Sequence, residues 1–194
     1  IVIHDGVDAD MTANYDITYT PSTTSTINPA TLTVDHVTAD NKDYDGDTDA
    51  ALVTGSAHFV GVLLSDEVII GFGSATGTFD SKMAGSGKTV TVAGISKTGA
   101  DNGNYTITQP STSATINQLA LEVTAPEVPK TYTATTAATG SSTVGDLATT
   151  DHVETVATLT FNTKNIGTGN KTVTPSAIVI HDGVDADMTA NYDI

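Results

Sequence analysis

The residues best suited to chemistry are aspartates at alternate positions of the stretch ADNKDYDGDTDA. Carboxylates in a loop can converge on a hard cation, and Ca²⁺ takes six to eight oxygen ligands. The loop is not an EF-hand, because the sixth and twelfth positions counted from Asp43 hold Thr48 and Thr54 instead of glycine and glutamate. Two interpretations stay open: a Ca²⁺ site, or charges on an edge strand that discourage aggregation. The candidate ligands are Asp43, Asp45, Asp47 and Asp49.

A second acidic group occurs twice, in identical HDGVDAD sequences that precede an Asn-Tyr pair. We expect both copies to lie in loops near the ends of modules, where a bound cation could stiffen a junction. The alternative is a solvated polar loop. Ca²⁺ is thus the one cofactor that the sequence suggests, and its further candidate ligands are Asp5, Asp8, Asp10, Asp182, Asp185 and Asp187.

Other patterns that carry chemistry are weak. No two of the five histidines have the close spacing of zinc ligands on one element. Gly85-Ser86-Gly87-Lys88 lacks the first glycine of a phosphate-binding loop, and we expect a tight hairpin turn there. Glycoside hydrolysis needs two carboxyls facing each other across a cleft, and a small module poor in aromatic residues suggests none. The sequence predicts no enzyme and no catalytic residue.

Charge and composition narrow the class of protein further. The 194 residues include 7 Lys plus Arg and 23 Asp plus Glu, for a formal net charge of −16. Such a charge repels nucleic acid and anionic membranes. No apolar run approaches the roughly 20 residues of a membrane-spanning helix. Cysteine is absent, so disulfides are excluded, and the abundance of Thr, Ser, Gly, Ala and Asp is typical of secreted bacterial surface proteins.

Internal repetition organises the chain. Residues 1–17 and 178–194 are both IVIHDGVDADMTANYDI, so the chain repeats with a period of 177 residues. A weaker repeat of about half that period relates NYDITYTPSTTSTIN to NYTITQPSTSATIN. We therefore expect alternating module types: residues 1–28 as the C-terminal strands of a B module, residues 29–117 as a complete A module, and residues 118–194 as a B module without its last strands.

The local patterns within a module are those of strands. Segments such as Thr89-Val90-Thr91-Val92 alternate polar and apolar residues, and frequent glycines mark turns. One helical turn is expected, over residues 59–64. We predict an all-β fold of small immunoglobulin-like β-sandwiches in an extended array, with β-grasp-like modules as the alternative. Tyr105 and its equivalents, Tyr15 and Tyr192, are expected to be corner tyrosines that hydrogen-bond nearby backbone.

Three motifs of residues 32–117 carry a family resemblance: LTVDHVTADNKDYDG, TFDSKMAGSGKTVTVAGI and GADNGNYTI. They resemble the YDG-type repeats of large bacterial surface proteins, relatives of the MBG-type modules in filamentous-haemagglutinin-like adhesins. Residues 118–194 match less well, since Tyr132-Thr133-Ala134 stands where residues 44–46 read Tyr-Asp-Gly. The resemblance implies a secreted, non-enzymatic module and identifies no ligand.

Three functions are consistent with these features. The first is a semi-rigid stalk or fibre on the bacterial cell surface, whose partners are neighbouring repeats. The second is an adhesive module that binds a glycan or a protein on another cell. The third is a head-to-tail filament, in which residues 18–28 of one chain complete the last B module of the next by strand addition.

Overall fold

The computed structural model describes all of residues 1–194 and confirms the all-β prediction. Strands form every regular element except three 3₁₀ turns of three residues each, Thr12–Asn14, Asn102–Asn104 and Thr189–Asn191. No helix has the length and apolar character that crossing a membrane requires.

Residues 29–117 contain twelve strands. The first starts at Ala30 because the alternating ATLTVD sequence buries Leu32 and Val34 and exposes the residues between them. The strands are β1 Ala30–Asp35, β2 Thr38–Ala39, β3 Lys42–Asp43, β4 Asp49–Ala50, β5 Leu52–Val53, β6 His58–Val60, β7 Ile69–Gly71, β8 Thr76–Phe79, β9 Gly85–Ala93, β10 Ser96–Thr98, β11 Tyr105–Ile107 and β12 Ser111–Asn117.

Two main sheets face each other in these residues. One has the order β3-β12-β9-β8-β4 and the other β11-β1-β6, with β1 parallel to β11. Val34 of β1 and Val92 of β9 meet in one apolar cluster, against which Phe59 of β6 packs. Two smaller pairs, β2-β5 and β7-β10, complete this part of the fold.

Residues 118–194 contain nine shorter strands, and the first pairs in parallel with the last, as β1 does with β11. The strands are β13 Leu119–Ala120, β14 Val123–Thr124, β15 Ala137–Ala138, β16 Thr143–Val144, β17 His152–Thr155, β18 Thr158–Phe161, β19 Val173–Ser176, β20 Val179–His181 and β21 Tyr192–Asp193. Their pairs are β15-β18-β19, β14-β16, β17-β20 and β13-β21, so no strand pair joins them to residues 29–117.

Residues 1–28 form no strand, and nearly all of them are exposed. Their ordered features are one bridge between His4 and Asp10 and the turn Thr12–Asn14. Tyr15 is 58% exposed, so the expectation that it acts as a corner tyrosine like Tyr105 is wrong in this structure.

Two local predictions are also wrong. Residues 59–64 form no helical turn: Phe59 lies opposite Val34 in β6, and Gly61 then takes a positive φ of 100°. Residues 85–88 open β9 and do not form a hairpin turn. Gly87, at φ 63°, lies where the pairing of β9 with β12 slips, so it serves a β-bulge.

An apolar cluster crosses from residues 29–117 to residues 118–194 although no strands pair there. Its members share burial of their side chains and come from both parts of the chain: Tyr44, Phe79, Val90, Ala114, Ile116, Leu121, Ala148, Ala157, Ile178, Ile180, Met188 and Tyr192. The chain between the two parts is Gln118 alone, since β12 ends at Asn117 and β13 begins at Leu119.

Candidate functional site

The Tyr-Asp-Gly turn lies at the end of β3 that faces residues 118–194. Lys42 holds it from inside the turn, with Nζ 2.7 Å from Asp45 Oδ1 and 2.6 Å from Asp47 Oδ1. Gly46 closes the turn at φ 89°, a value that other residues rarely adopt. Partial burial disfavours the charged lysine, but the hydrogen bonds to the two carboxylates outweigh it and raise the pKa of Lys42. The turn is therefore rigid, and it presents Tyr44.

Tyr44 and Tyr192 share one carboxylate at the junction between the two parts. The Tyr44 hydroxyl donates to Asp151 Oδ2 at 2.9 Å, and the Tyr192 hydroxyl donates to the same oxygen at 2.8 Å. The two rings meet edge to face, with centroids 5.5 Å apart. Burial, together with the bond to Asp151, raises the pKa of Tyr192 to about 12, and burial first and then Asp151 raises the pKa of Tyr44. Both phenols thus remain protonated donors at neutral pH.

An ion pair and an amide lie beside the phenols. Lys82 Nζ is 2.6 Å from Asp182 Oδ2, and the Asp182 side chain is only 4% exposed. The hydrogen bond from Lys82, followed by bonds from backbone N–H groups, lowers the pKa of Asp182 to about 2. The Asn191 side chain is buried and accepts from the Ala84 N–H at 2.8 Å. The junction therefore combines charge pairing with satisfied polar groups.

Tyr105 and Tyr192 both form the hydrogen bonds to backbone that the sequence predicts for corner tyrosines. The Leu63 N–H donates to the Tyr105 hydroxyl at 2.9 Å, and that hydroxyl donates to Asp66 at 2.8 Å. In residues 118–194 the Ala148 N–H donates to the Tyr192 hydroxyl at 3.0 Å, and that hydroxyl donates to Asp151, which takes the place of Asp66. The prediction is confirmed for Tyr105 and Tyr192. The sequence did not indicate that Asp151 would also receive Tyr44, because the two residues are 107 positions apart.

The aspartates of the first predicted Ca²⁺ group bind groups of the chain itself. Asp45 and Asp47 contact Lys42, and that bond lowers the pKa of Asp47. Asp43 accepts from the Asn117 amide at 3.1 Å, and the Asp49 N–H donates to Asp47. The four exposed carboxylates flank a lysine, and Ca²⁺ binding there stays a prediction.

The aspartates of the second predicted group close turns. In the first copy Asp5 accepts from the N–H groups of Val7 and Ala9, and Asp10 accepts from that of Thr12. The second copy repeats these bonds through Asp182 and Asp187. Asp8 and Asp185 both take a positive φ and contact the histidine four positions earlier. These bonds fix the loops without any ion, and the cation again stays a prediction.

Two groups that contain histidine come together only in the folded chain. The ligand atoms of Asp35, His36 and His58 lie within 4.8 Å of one another, and the two imidazole rings stack at 5.1 Å. His58 Nδ1 lies 3.2 Å from the Ser56 carbonyl, which leaves Nε2 free. Two imidazoles and a carboxylate suit a transition metal. Sequence spacing missed this pair because His36, which directly follows β1, meets His58 only when β1 pairs with β6. The second group is Glu154, His181 and Asp185.

Comparison with known families and proteins gives one match. The model of the YDG domain matches residues 28–114, which hold the turn around Tyr44 and the corner tyrosine Tyr105. No curated protein matches the chain, and no solved structure matches it.

Proposed function

Since residues 28–114 are a YDG domain, we propose that the chain is a non-enzymatic structural repeat of an extracellular bacterial surface protein, where it forms a semi-rigid stalk. One observation carries the proposal: Tyr44 and Tyr192, from successive parts of the chain, bind the same oxygen of Asp151. Of these two bonds the one from Tyr44 crosses between the parts, and it constrains the rotation of one part against the other. A stalk needs such a fixed angle at each junction.

The connection between the two parts supports the same function. Gln118 alone separates β12 from β13, and its side chain donates to the Ala190 and Tyr192 carbonyls. A single residue cannot act as a flexible linker. The apolar cluster that crosses the junction and the Lys82–Asp182 pair add further constraints on the angle. Repetition of such junctions yields a quasi-one-dimensional array.

Small-angle scattering tests the stalk function directly. We expect the maximum dimension to rise linearly as the 177-residue unit is repeated. A variant with a Gly-Ser insertion between Asn117 and Gln118 is the comparison, because it removes the one-residue connection that helps to hold the angle. A compact particle, or no difference between the parent and the insertion variant, would contradict the proposal.

A further inference from the structure

Two histidines and an aspartate at one end of the strand pair β1-β6 form a group that the stalk function does not use. We propose that Asp35, His36 and His58 bind one divalent transition-metal ion of the Zn²⁺ or Cu²⁺ type. Their ligand atoms lie within 4.8 Å of one another, and all three residues are exposed. The proposal goes beyond the stalk function and does not depend on it, because the group lies within residues 29–117.

The pairing of β1 with β6 brings two of the three ligands together. Asp35 lies directly opposite His58 in the antiparallel register, and the next pair is Val34 with Phe59. Val34 is buried while Asp35 and His58 are exposed, so the two ligands project from the outer face of the sheet. Residues directly opposite each other on one face have Cβ atoms about 4.5–5.5 Å apart, which is close enough for both to bind one ion.

The backbone at His36 adds the third ligand. In an extended strand the residue after Asp35 would point to the opposite face of the sheet. His36 instead takes a positive φ of 59°, and β1 ends at Asp35. Its imidazole stacks on that of His58, with ring centroids 5.1 Å apart and 29° between the planes. The turn of the backbone therefore brings three ligands to one place.

His58 is held in the tautomer that a metal ligand needs. Its Nδ1 lies 3.2 Å from the Ser56 carbonyl oxygen, and because a carbonyl can only accept, Nδ1 carries the proton. Nε2 then keeps its lone pair for the ion. A backbone carbonyl is a usual partner for the second ring nitrogen of a histidine ligand, since it fixes the ring and raises its basicity.

The ligands of this group are free of the ion pairs that occupy the other acidic and histidine groups. Lys42 contacts both Asp45 and Asp47, and His181 Nδ1 lies 2.9 Å from Asp185. None of the chain's ion pairs includes a member of the group at the end of β1. An ion that enters this group therefore displaces water and breaks no ion pair.

The dimensions and the donor atoms of the group suit an ion with short bonds. Zn²⁺ binds imidazole nitrogen and carboxylate oxygen at about 2.0–2.2 Å, so two ligands of a tetrahedral site lie roughly 3.3 Å apart. The present separations reach at most 4.8 Å, and exposed side chains can rotate inwards to close the difference. Two imidazoles favour Zn²⁺ or Cu²⁺ over Ca²⁺, which takes six to eight oxygen ligands. A fourth position stays open for water.

The second part of the chain contains the same strand pair without these ligands. β14 pairs with β16 as β1 pairs with β6, and Thr124 and Thr143 stand at the positions of Asp35 and His58. LEVTA aligns with LTVDH, so an alanine stands in place of His36. The strand pair thus forms with neither histidine nor carboxylate at its end. The three ligands are an addition that folding of this pair does not require.

Isothermal titration of the full chain with ZnCl₂ tests the proposal. We expect an equivalent of Zn²⁺ whose Kd rises at least about tenfold in His58→Thr and in Asp35→Thr, because even the loss of an outer-shell partner costs roughly 10–100-fold. The threonines are those of the corresponding strand pair, so both variants should fold. His36→Asn removes the third ligand and keeps a residue type that tolerates the positive φ.

His152→Thr is the matched control, since it removes an exposed strand histidine from the other part of the chain. It should bind Zn²⁺ as tightly as the parent chain does. CaCl₂ in place of ZnCl₂ should give no binding that depends on His58. An isotherm that His58→Thr leaves unchanged, the same loss in His152→Thr, or Ca²⁺ binding that His58→Thr removes would overturn the proposal.

Paramagnetic broadening in the parent chain gives a test that needs no variant and so does not depend on whether a variant folds. Substoichiometric Cu²⁺ should broaden the assigned backbone amide signals of His36 and His58 several-fold more than those of His152 and His181. Equal broadening of the four signals, or stronger broadening at His152 or His181, would overturn the proposal.

Discussion

At the scale of single residues, the junction depends on groups held in one protonation state. Tyr44 and Tyr192 donate to Asp151, and Lys82 pairs with Asp182. Ionisation of a phenol would place two negative charges on adjacent oxygens, and protonation of Asp182 would remove the partner of a lysine. The contacts between the two parts of the chain should therefore weaken at both extremes of pH.

The alkaline limit follows from the phenols. An unfolded tyrosine ionises at a pKa of about 10, whereas the pKa of Tyr192 in the fold is about 12. The stabilisation is complete below pH 10 and is lost as the pH rises towards 12. We expect the free energy of unfolding of the parent chain, measured with urea, to fall across this interval. The free energy of unfolding of Tyr192→Phe should fall less. Tyr19→Phe, at a ring 70% exposed, is the control and should follow the parent chain. A fall as steep in Tyr192→Phe as in the parent chain would contradict this assignment.

The acidic limit follows from Asp182, whose pKa of about 2 lies below that of an unfolded aspartate, about 4. The stabilisation is present above pH 4 and is lost as the pH falls through 2. Asp182→Asn should lower the stability at pH 7 and flatten its dependence between pH 4 and 2. Asp5→Asn is a matched control, since Asp5 makes the same backbone bonds without a lysine partner. Identical acid profiles for the two variants would refute the role of the pair.

At the scale of elements, the two copies of the seventeen-residue repeat have the same local structure but differ in how they pack. Both copies form the same bridge, the same 3₁₀ turn and the same side-chain bonds; for example, Thr12 and Thr189 each accept a backbone N–H at 2.9 Å. Only the second copy packs, and Ile180 there is 0% exposed. The element is thus specified by its own sequence but stabilised by its surroundings.

Truncation of the same isoleucine in each copy measures this difference. Ile180→Ala should cost about 2–5 kcal/mol, the usual range for a buried isoleucine. Ile3→Ala removes the identical group from the less packed copy, and we expect a change within about 0.5 kcal/mol. Urea unfolding of both variants decides the matter. Similar losses would mean that residues 1–17 also pack against the fold.

The acidic loops allow a test of the predicted Ca²⁺ sites. If Asp43, Asp45, Asp47 and Asp49 bind Ca²⁺, CaCl₂ should raise the melting temperature more than NaCl at equal ionic strength, because specific binding adds to screening. Asp45→Asn/Asp47→Asn should remove only the additional increase. Equal effects of the two salts on the parent chain would reject the site.

At the scale of the whole molecule, the apolar cluster that joins the two parts contains more buried residues than the cluster within residues 29–117. Only 22 of 194 residues are buried, and twelve of them belong to the cluster that crosses Gln118. The net charge of −16 opposes side-by-side association. Adhesion to a glycan stays a prediction, which binding of the purified chain to a glycan array would test.

Local patterns in the sequence were sufficient for strands such as β1, where the alternation over Ala30–Asp35 acts among near neighbours. The Asn-Tyr pairs indicated Tyr105 and Tyr192 correctly but not Tyr15, because a corner tyrosine bonds residues 39 to 44 positions away. The expected helical turn at residues 59–64 failed because pairing of Phe59 with β1 outweighed local preference. The His36–His58 pair was missed because its members come together only when β1 pairs with β6.

The repeated segment marks the boundary between what the sequence determined and what the tertiary structure decided. Asp5 and Asp182 have identical neighbours and form identical turns, since these bonds span only a few residues. Only Asp182 receives Lys82, and of the two equivalent tyrosines Tyr15 is exposed while Tyr192 is buried. The ion pair needs a partner 100 residues away, and Tyr192 needs partners 41 and 44 residues away. The sequence therefore determined the loop and its hydrogen bonds, and the tertiary structure decided which copy became a junction.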